Sequence, residues 1–245
     1  MDIYSLPEVY DRIFAFTEDL SYYQDLSDLT SGGVLELACG TGRVIGNLGK
    51  TRNDCFGLDL SEKMIARARA QFPKTEFLIS DMRDFQLNRQ FGLIIIALNS
   101  LLHLHSRSEV KELLECVKKH LLPNGEFTFS IFNPSPKILA RHPDERHLVA
   151  KFFDSDKNTE VFIEETTAYD LATQVSRNTW YYSTKDEKDF FSHPLSLRNY
   201  FPQEIDQLMD FHGLEIVGKY GDYDRSAFSS KSSYQIIRAS KRPDI

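Results

Sequence analysis

The chain has 245 residues and a formal net charge of −7, from 29 basic and 36 acidic side chains. A general nucleic-acid binder needs clustered Lys and Arg, and because no long basic run occurs we expect no nucleic-acid partner. With no signal-like apolar start, no membrane-length apolar stretch and three scattered cysteines, the sequence predicts a cytoplasmic protein without membrane association, disulfide framework or bound metal.

The N-terminal segment, from about Pro7 to Leu29, is predicted to be helical. Its apolar residues recur at spacings of three and four: Val9, Ile13, Phe16 and Leu20. Tyrosines interleaved with acidic residues on this pattern favour a packing role for the rings, with a binding face as the alternative.

The stretch from Val34 to Arg43, VLELACGTGR, predicts a buried strand, a glycine turn and the start of a helix. Gly40 and Gly42 permit positive φ and the close approach of a ligand to the backbone. A dinucleotide fingerprint needs a further glycine where Ile45 stands, so the pyrophosphate pattern is not met. The sequence pattern is instead acidic-x-small-x-Gly-x-Gly, beginning at Glu36.

This pattern resembles the first motif of class I S-adenosylmethionine-dependent methyltransferases, whose turn passes under the amino-acid end of the cofactor. The resemblance implies that four residues of this stretch bind S-adenosylmethionine: Glu36, Ala38, Gly40 and Gly42. Ala38 stands where the family usually has its first glycine. In the small-molecule members of the family an N-terminal helix covers the cofactor, which implies Tyr10 and Tyr22 as further cofactor-binding residues, with Tyr23 as the alternative to Tyr22.

Two more acidic positions follow predicted strands. The predicted strand Cys55–Leu58 ends at Asp59, where a carboxylate can accept hydrogen bonds from both hydroxyls of a ribose. The alternative is that Asp59 stabilises the N-terminus of the next helix. Glu76–Ile79 is followed by Asp81, which by resemblance faces the adenine amino group. Three apolar neighbours complete this set of cofactor-binding candidates: Leu60, Met64 and Met82.

The continuously apolar run from Phe91 to Leu98 predicts a strand covered by helices on both faces. Asn99 and Ser100 follow it, and ligands collect at the carboxyl ends of parallel strands, so both are expected at the reactive end of the cofactor. His103 comes shortly after and is a candidate catalytic residue, with a surface position as the alternative.

The remaining elements of the core predict an α/β fold. Ser106 to Glu109 is a capping box that opens a helix, and Leu122 to Gly125 is a turn before the next strand. Strand and helix therefore alternate, which indicates a doubly wound, mostly parallel sheet. The resemblance implies seven strands, the last one antiparallel, in a Rossmann-like methyltransferase fold. A helix from Pro202 and the strand Leu214–Tyr220 belong to its closing part.

Residues 134–194 have a different pattern, with alternating β-branched and aromatic residues separated by polar turns. We expect an inserted antiparallel β-meander that serves as a substrate subdomain, a lid or a dimerisation surface, while residues 1–133 and 195–245 form the cofactor-binding core. Tyr181 and Lys185 match the Tyr-x-x-x-Lys spacing of short-chain dehydrogenases, but they lie in a strand-like region, so this match is attributed to chance.

These features predict an enzyme that transfers a methyl group from S-adenosylmethionine to N or O of a small molecule, similar to bacterial sugar-amine N-methyltransferases. His103, His193 and Tyr223 are the candidates for handling a proton. The alternatives are a nicotinamide-dependent oxidoreductase and a non-catalytic adenosyl-cofactor-binding module. The protein is expected to be a monomer or a homodimer.

Overall fold

The computed structural model describes residues 3–156 and 158–242, and it divides into two compact units. The sheet unit contains Phe16–Asn133 and the described residues from Tyr200 onward. The meander unit contains Pro134–Asn199 and the described residues up to Ala15. The division between Asn133 and Pro134 falls at the expected position, whereas the described residues up to Ala15 and residues 195–199 group with the meander and not with the sheet.

The secondary structure alternates strand and helix before and after the meander. The strands are β1 Gly33–Leu37, β2 Cys55–Asp59, β3 Glu76–Ile79, β4 Phe91–Ile96, β5 Leu121–Phe132, β6 His147–Asp154, β7 Thr159–Asp170, β8 Val175–Ser183, β9 Phe191–Arg198, β10 Leu214–Tyr220 and β11 Tyr234–Lys241. The helices are α1 Pro7–Ile13, α2 Leu20–Leu29, α3 Arg43–Leu48, α4 Glu62–Gln71, α5 Arg107–His120, α6 Pro136–Leu139 and α7 Pro202–Phe211.

In the sheet unit the strand order is β10-β11-β5-β4-β1-β2-β3. Strands β1 to β5 pair in parallel, and β11 runs antiparallel to both β5 and β10. The predicted doubly wound, mostly parallel sheet with an antiparallel last strand is thus confirmed. Strands β1 and β4 are buried along their whole length, since helices cover both faces. The chain reverses direction across the sheet between these two strands, which is where such sheets bind ligands.

The predicted N-terminal helix is interrupted in the structure. Helix α1 ends at Ile13 and α2 begins at Leu20. The Arg43 guanidinium donates to the Phe16 carbonyl at 2.8 Å, so the non-helical segment between α1 and α2 is held by a residue distant in sequence. The break therefore has a tertiary cause that the helical spacing of apolar residues did not contain.

Two other expectations differ at strand ends. Strand β4 stops at Ile96, because Leu98 adopts a positive φ of 43°. The predicted turn from Leu122 to Gly125 lies inside β5, as an irregularity where the pairing with β4 shifts register. The capping box is confirmed, with Ser106 and Glu109 bonded reciprocally at the start of α5.

The meander unit is an antiparallel sheet of order β6-β7-β8-β9. Strand β9 runs through position 194, so the expected end of the insert falls within a strand. One face of the sheet carries a small core of Val161, Ile163 and Tyr182, which packs against Val9 and Ile13 of α1. In neither unit does a described helix have the length and apolar character needed to cross a membrane.

Candidate functional site

The carboxyl ends of β1, β2, β3 and β4 lie along one edge of the sheet unit. Because these strands pair in parallel, the residues that follow them are neighbours. The edge carries the glycine turn at 38–42, Asp59, Asp81 and Asn99. The structure thus brings together most of the predicted cofactor-binding residues.

In the turn after β1, every second residue has a positive φ angle, in the left-handed region. Ala38 has φ of 52°, Gly40 of 55° and Gly42 of 82°. A Cβ on Gly42 would lie 2.9 Å from the Phe77 ring, so this glycine is required for packing as well as for its conformation. Ala38 holds a conformation that L residues rarely adopt, which costs free energy that the surrounding structure must offset.

The Asp59 carboxylate connects this turn to the next one. Its Oδ2 accepts the Gly40 N–H at 2.8 Å, and its Oδ1 accepts the Ser61 N–H at 2.8 Å. Burial raises the pKa of Asp59, while these backbone hydrogen bonds act in the opposite direction. A carboxylate has about four acceptor positions, so two backbone donors leave acceptor capacity for ligand hydroxyls.

Glu36 lies beneath the turn, 3% exposed, and its Oε2 accepts the Ile45 N–H of α3 at 2.9 Å. Burial raises the pKa of Glu36 to about 8, and the Ile45 amide and the Arg43 charge reduce this rise. The Glu36 side chain therefore supports the start of α3 from inside the sheet.

Arg43 is a site-supporting residue that the sequence reasoning missed. Its guanidinium forms two hydrogen bonds of 2.6 Å with the carboxylate of Asp19, which is fully buried. Bidentate pairing of this kind fixes geometry as well as charge. It connects the first residue of α3 to the segment before α2, so the glycine turn is held from both sides.

The region around Asp81 combines a charged network with exposed apolar surface. The carboxylate oxygens of Asp81 lie 3.0 and 3.1 Å from Arg83 Nε, and Arg83 Nη1 also bonds Glu109 at 2.9 Å. Arg83 lowers the pKa of Asp81, so this carboxylate stays ionised. Leu60 is 69% exposed at the same edge, and Met82 is half-buried.

The loop after β4 is held in an unusual conformation. Leu98 and Asn99 are both left-handed, with φ of 43° and 67°. Ser130 Oγ accepts the Leu98 N–H at 3.1 Å, and Asn99 Oδ1 accepts the Phe132 N–H at 2.7 Å. Ser100, the next residue, turns its hydroxyl back to the Ala97 carbonyl at 3.0 Å. Strand β5 thereby sets the path of the loop.

Tyr223 also stabilises the loop after β4, through Ser130. It is 7% exposed, and its hydroxyl donates to Ser130 Oγ at 2.9 Å. Burial raises the pKa of Tyr223 far above its ordinary value, so the phenol stays protonated and acts as a donor. Tyr22 is also in the core, 1% exposed, with its hydroxyl 3.4 Å from Thr128 Oγ1, and Met64 is fully buried.

The histidines predicted to be catalytic lie in different units. His103 is exposed and ends the short 3-10 turn Ser100–His103 of the sheet unit. His193 is 1% exposed in β9 of the meander unit, beside Trp180 at a ring-centroid distance of 5.5 Å. Tyr10 belongs to the meander unit too, where its ring packs on Phe14 at 4.5 Å.

Glu165 is a second residue that the sequence reasoning missed. It lies on the same strand face as Val161 and Ile163, with its side chain 13% exposed. A carboxylate at an inward position of an alternating strand is a signal for a polar site, because such a group is buried only where it has partners. The alternation predicted the strands of the meander and did not single out Glu165.

The residues at the sheet edge fit the S-adenosylmethionine that the motif resemblance implies. Asp59 and Asp81 supply acceptors for hydroxyl and amino donors, and exposed Leu60 supplies the apolar surface that a purine ring covers. Across residues 3–156 and 158–242, we found no group of three or more His, Cys, Asp or Glu side chains arranged to hold a metal ion.

Known methyltransferases are similar to this chain in sequence. A family model described as a methyltransferase domain matches residues 34–125, which include the glycine turn, Asp59, Asp81 and Asn99. The dTDP-3-amino-3,6-dideoxy-alpha-D-glucopyranose N,N-dimethyltransferase of Streptomyces fradiae is 31% identical over 129 residues, covering 49% of this chain and 50% of that protein. The chain thus matches about half the length of that relative.

Solved structures resemble the chain over nearly its full length. An S-adenosylmethionine-dependent methyltransferase from Clostridium acetobutylicum has a TM-score of 0.79 at 20% identity, covering 96% of this chain and 97% of its own. CalS10, an amino pentose methyltransferase from Micromonospora echinaspora solved with bound S-adenosylmethionine, has a TM-score of 0.70 at 20% identity, covering 98% and 97%. At this identity the likeness shows a shared fold.

Proposed function

We propose that this chain, which belongs to the class I S-adenosylmethionine-dependent methyltransferases that act on small molecules, methylates the amine nitrogen of an amino sugar. The choice of nitrogen and of a sugar is supported by the relative from Streptomyces fradiae, whose name gives both. The nicotinamide alternative is not favoured, because the fingerprint glycine is absent and the comparisons identify methyltransferases.

The cofactor-binding roles follow the strand ends. We assign Asp59 to the ribose hydroxyls and Asp81 to the adenine amino group, with Leu60 and Met82 against the ring. Further contacts are assigned to the turn residues Ala38, Gly40 and Gly42 and to the loop residues Asn99 and Ser100. Glu36, Met64 and Tyr22 are assigned a supporting role, because the side chain of each is buried.

When bound, the sulfonium supplies an electrophilic methyl group, so the protein needs mainly to orient a neutral amine. His103 is exposed at the end of β4, and we assign it the orientation of the acceptor or the removal of its proton. Tyr223 stays protonated, so it acts as a positioning residue for the loop and not as a base. His193 is buried, and we assign it to the support of Trp180.

The observation that carries the proposal is the pair of acceptors, Asp59 and Asp81, beside exposed Leu60 in a chain similar to an amino-sugar methyltransferase. The test incubates the protein and S-adenosylmethionine with a fixed panel: the dTDP-linked amino sugar of the relative, glucosamine, and glucose. Mass spectrometry should find a methyl group added to an amino sugar and none added to glucose. Methylation of glucose, or of no panel member, would contradict the proposal.

A further inference from the structure

A row of four side chains crosses the entire meander sheet on one face. The pairing register places His147 opposite Glu165, Glu165 opposite Trp180, and Trp180 opposite His193. The neighbouring row contains Ile163 and belongs to the apolar core under α1. Directly opposed residues in a sheet lie about 5 Å apart, so the polar row is continuous. Along β7, this face therefore changes from apolar at Ile163 to charged at Glu165, while Trp180 beside Glu165 still packs against the apolar core.

The Glu165 carboxylate is organised by three different side chains. Oε2 accepts the Trp180 indole N–H at 2.7 Å, Oε1 accepts the Thr167 hydroxyl at 3.1 Å, and Arg141 Nη1 lies 3.8 Å from Oε1. Two acceptor positions are thus used by neutral donors. The remaining capacity lies on a side chain that keeps 13% of its surface exposed, so a ligand can still reach it.

Asn178 gives an independent sign that this face binds a polar ligand. It is 9% exposed, and its Oδ1 is buried without a hydrogen-bond partner among the described residues. Asn178 is opposite Thr167 and two residues from Trp180, so it shares the face of Glu165. A buried acceptor without a partner costs free energy, which a ligand donor would recover.

The charges around Glu165 indicate which hydrogen-bond donors of a ligand could bind there. Arg141 already lies near Glu165, so the pair together has little net charge to attract an ammonium group. Neutral hydroxyl groups instead need acceptors, which Glu165 and Asn178 both offer. Trp180 lies between them along the face and adds a flat apolar surface, and a sugar ring combines hydroxyl donors with apolar C–H groups.

We propose that Glu165, Trp180 and Asn178 form a seat for the hydroxyl groups of the acceptor sugar ring. This inference rests on the proposed function, since it takes the acceptor to be an amino sugar. The seat selects for the hydroxyl pattern of the ring, and the amine that receives the methyl group is left for other residues. Glu165 is a specificity-determining residue and takes no part in proton transfer.

Trp180 makes the seat directly observable, because it is the only tryptophan in the chain. The full-length protein, saturated with S-adenosylhomocysteine, is titrated with glucosamine, the dTDP-linked amino sugar and glucose while tryptophan emission is recorded. A saturable emission change is expected with at least one of these sugars. No change with any of them would overturn the seat.

The second measurement compares Glu165→Gln with Glu164→Gln. Glu164 is the adjacent carboxylate on the opposite strand face, with its side chain 35% exposed near Arg146, so it is a matched control. We expect Glu165→Gln to weaken the emission-detected affinity for the sugar about tenfold or more while the affinity for S-adenosylhomocysteine stays unchanged. Glu164→Gln should leave both affinities unchanged. Equal sugar affinity in the two variants would overturn the seat.

The seat and the proposed function can fail separately. If an amino sugar is methylated but no sugar changes the tryptophan emission, the proposed function stands and the seat is rejected. If a sugar changes the emission in a saturable way that depends on Glu165 but no panel sugar is methylated, sugar binding at Glu165 stands and the proposed function is rejected.

Discussion

The two units organise their polar side chains in different ways. In the sheet unit, Asp59 and Asn99 bond mainly to backbone N–H groups, and so shape the turns at the strand ends. In the meander unit, Glu165 bonds to the side chains of Trp180 and Thr167 on a strand face. Backbone contacts depend on a turn geometry that a short motif encodes, whereas side-chain contacts depend on cross-strand register. We infer that the cofactor is bound by the first kind of arrangement and the acceptor by the second.

The largest expected effect comes from Gly40→Val. Gly40 has φ of 55°, and a β-branched residue there is strained by about 1–2 kcal/mol and would occupy the space of a closely approaching ligand. Calorimetry should detect no binding of S-adenosylhomocysteine. Gly213→Val is the matched control, since Gly213 has φ of 71° between α7 and the start of β10, away from the carboxyl ends of β1 to β4. Normal binding by folded Gly40→Val would show that the turn is only a connection.

Asp59→Ala should have the next largest effect. Hydrogen bonds to a charged group contribute roughly 1.5–3 kcal/mol, so affinity for S-adenosylhomocysteine should fall about tenfold or more. Asp59→Asn should be intermediate, because it keeps one acceptor oxygen. Asp54→Ala, at the other end of β2 and paired with Arg52, should leave affinity unchanged. An Asp59→Ala variant that binds as the native chain does would remove this residue from the site.

Tyr223→Phe should have a smaller effect. It removes one donor to Ser130, and Ser130 still accepts the Leu98 N–H. We expect a loss of about 1 kcal/mol in unfolding free energy and a rise of a few-fold in KM for S-adenosylmethionine, with an unchanged pH profile of kcat. Tyr220→Phe is a control from the same core cluster. Loss of the acidic limb, in which kcat rises with pH, would instead identify Tyr223 as a base.

A further expected effect concerns the folded state alone, namely how the free energy of unfolding depends on pH. The pKa of Glu36 is about 8 in the folded chain against an ordinary value of 4.5, so the folded state binds this proton more tightly. The stability that this group contributes is complete below its unfolded pKa and is lost as the pH rises through about 8. Urea unfolding of Glu36→Gln from about pH 5 to about pH 9 should show a flatter decline than the native chain shows. Equal slopes would contradict the raised pKa.

The same contrast explains what could be predicted from sequence. Strands such as Glu76–Ile79 and Leu214–Tyr220 were predicted with their observed bounds, because local apolar runs and turn residues define them. The edge position of Asp59 followed from parallel strand order. The helix break before Leu20 could not be predicted, because it depends on Arg43, which is distant in sequence. Strand β9 was missed since it contains Pro194 and alternates weakly.

The proposed seat at Glu165 could not be predicted from the sequence for a similar reason. The strand alternation around Glu165 was visible, yet its partner Trp180 lies on the following strand, and only register places them together. Arg141 reaches the same carboxylate from just after α6. No local pattern joins these three residues, so a site made of cross-strand contacts leaves little trace in the sequence.

The most direct test of the division between the units replaces residues 135–198 with a short Gly-Ser linker and measures two quantities on the same protein. The account predicts that calorimetric affinity for S-adenosylhomocysteine stays within about threefold, or ~0.7 kcal/mol, while methyl transfer to the amino sugar is lost. A folded variant that loses S-adenosylhomocysteine binding, or one that still methylates the amino sugar, would contradict it.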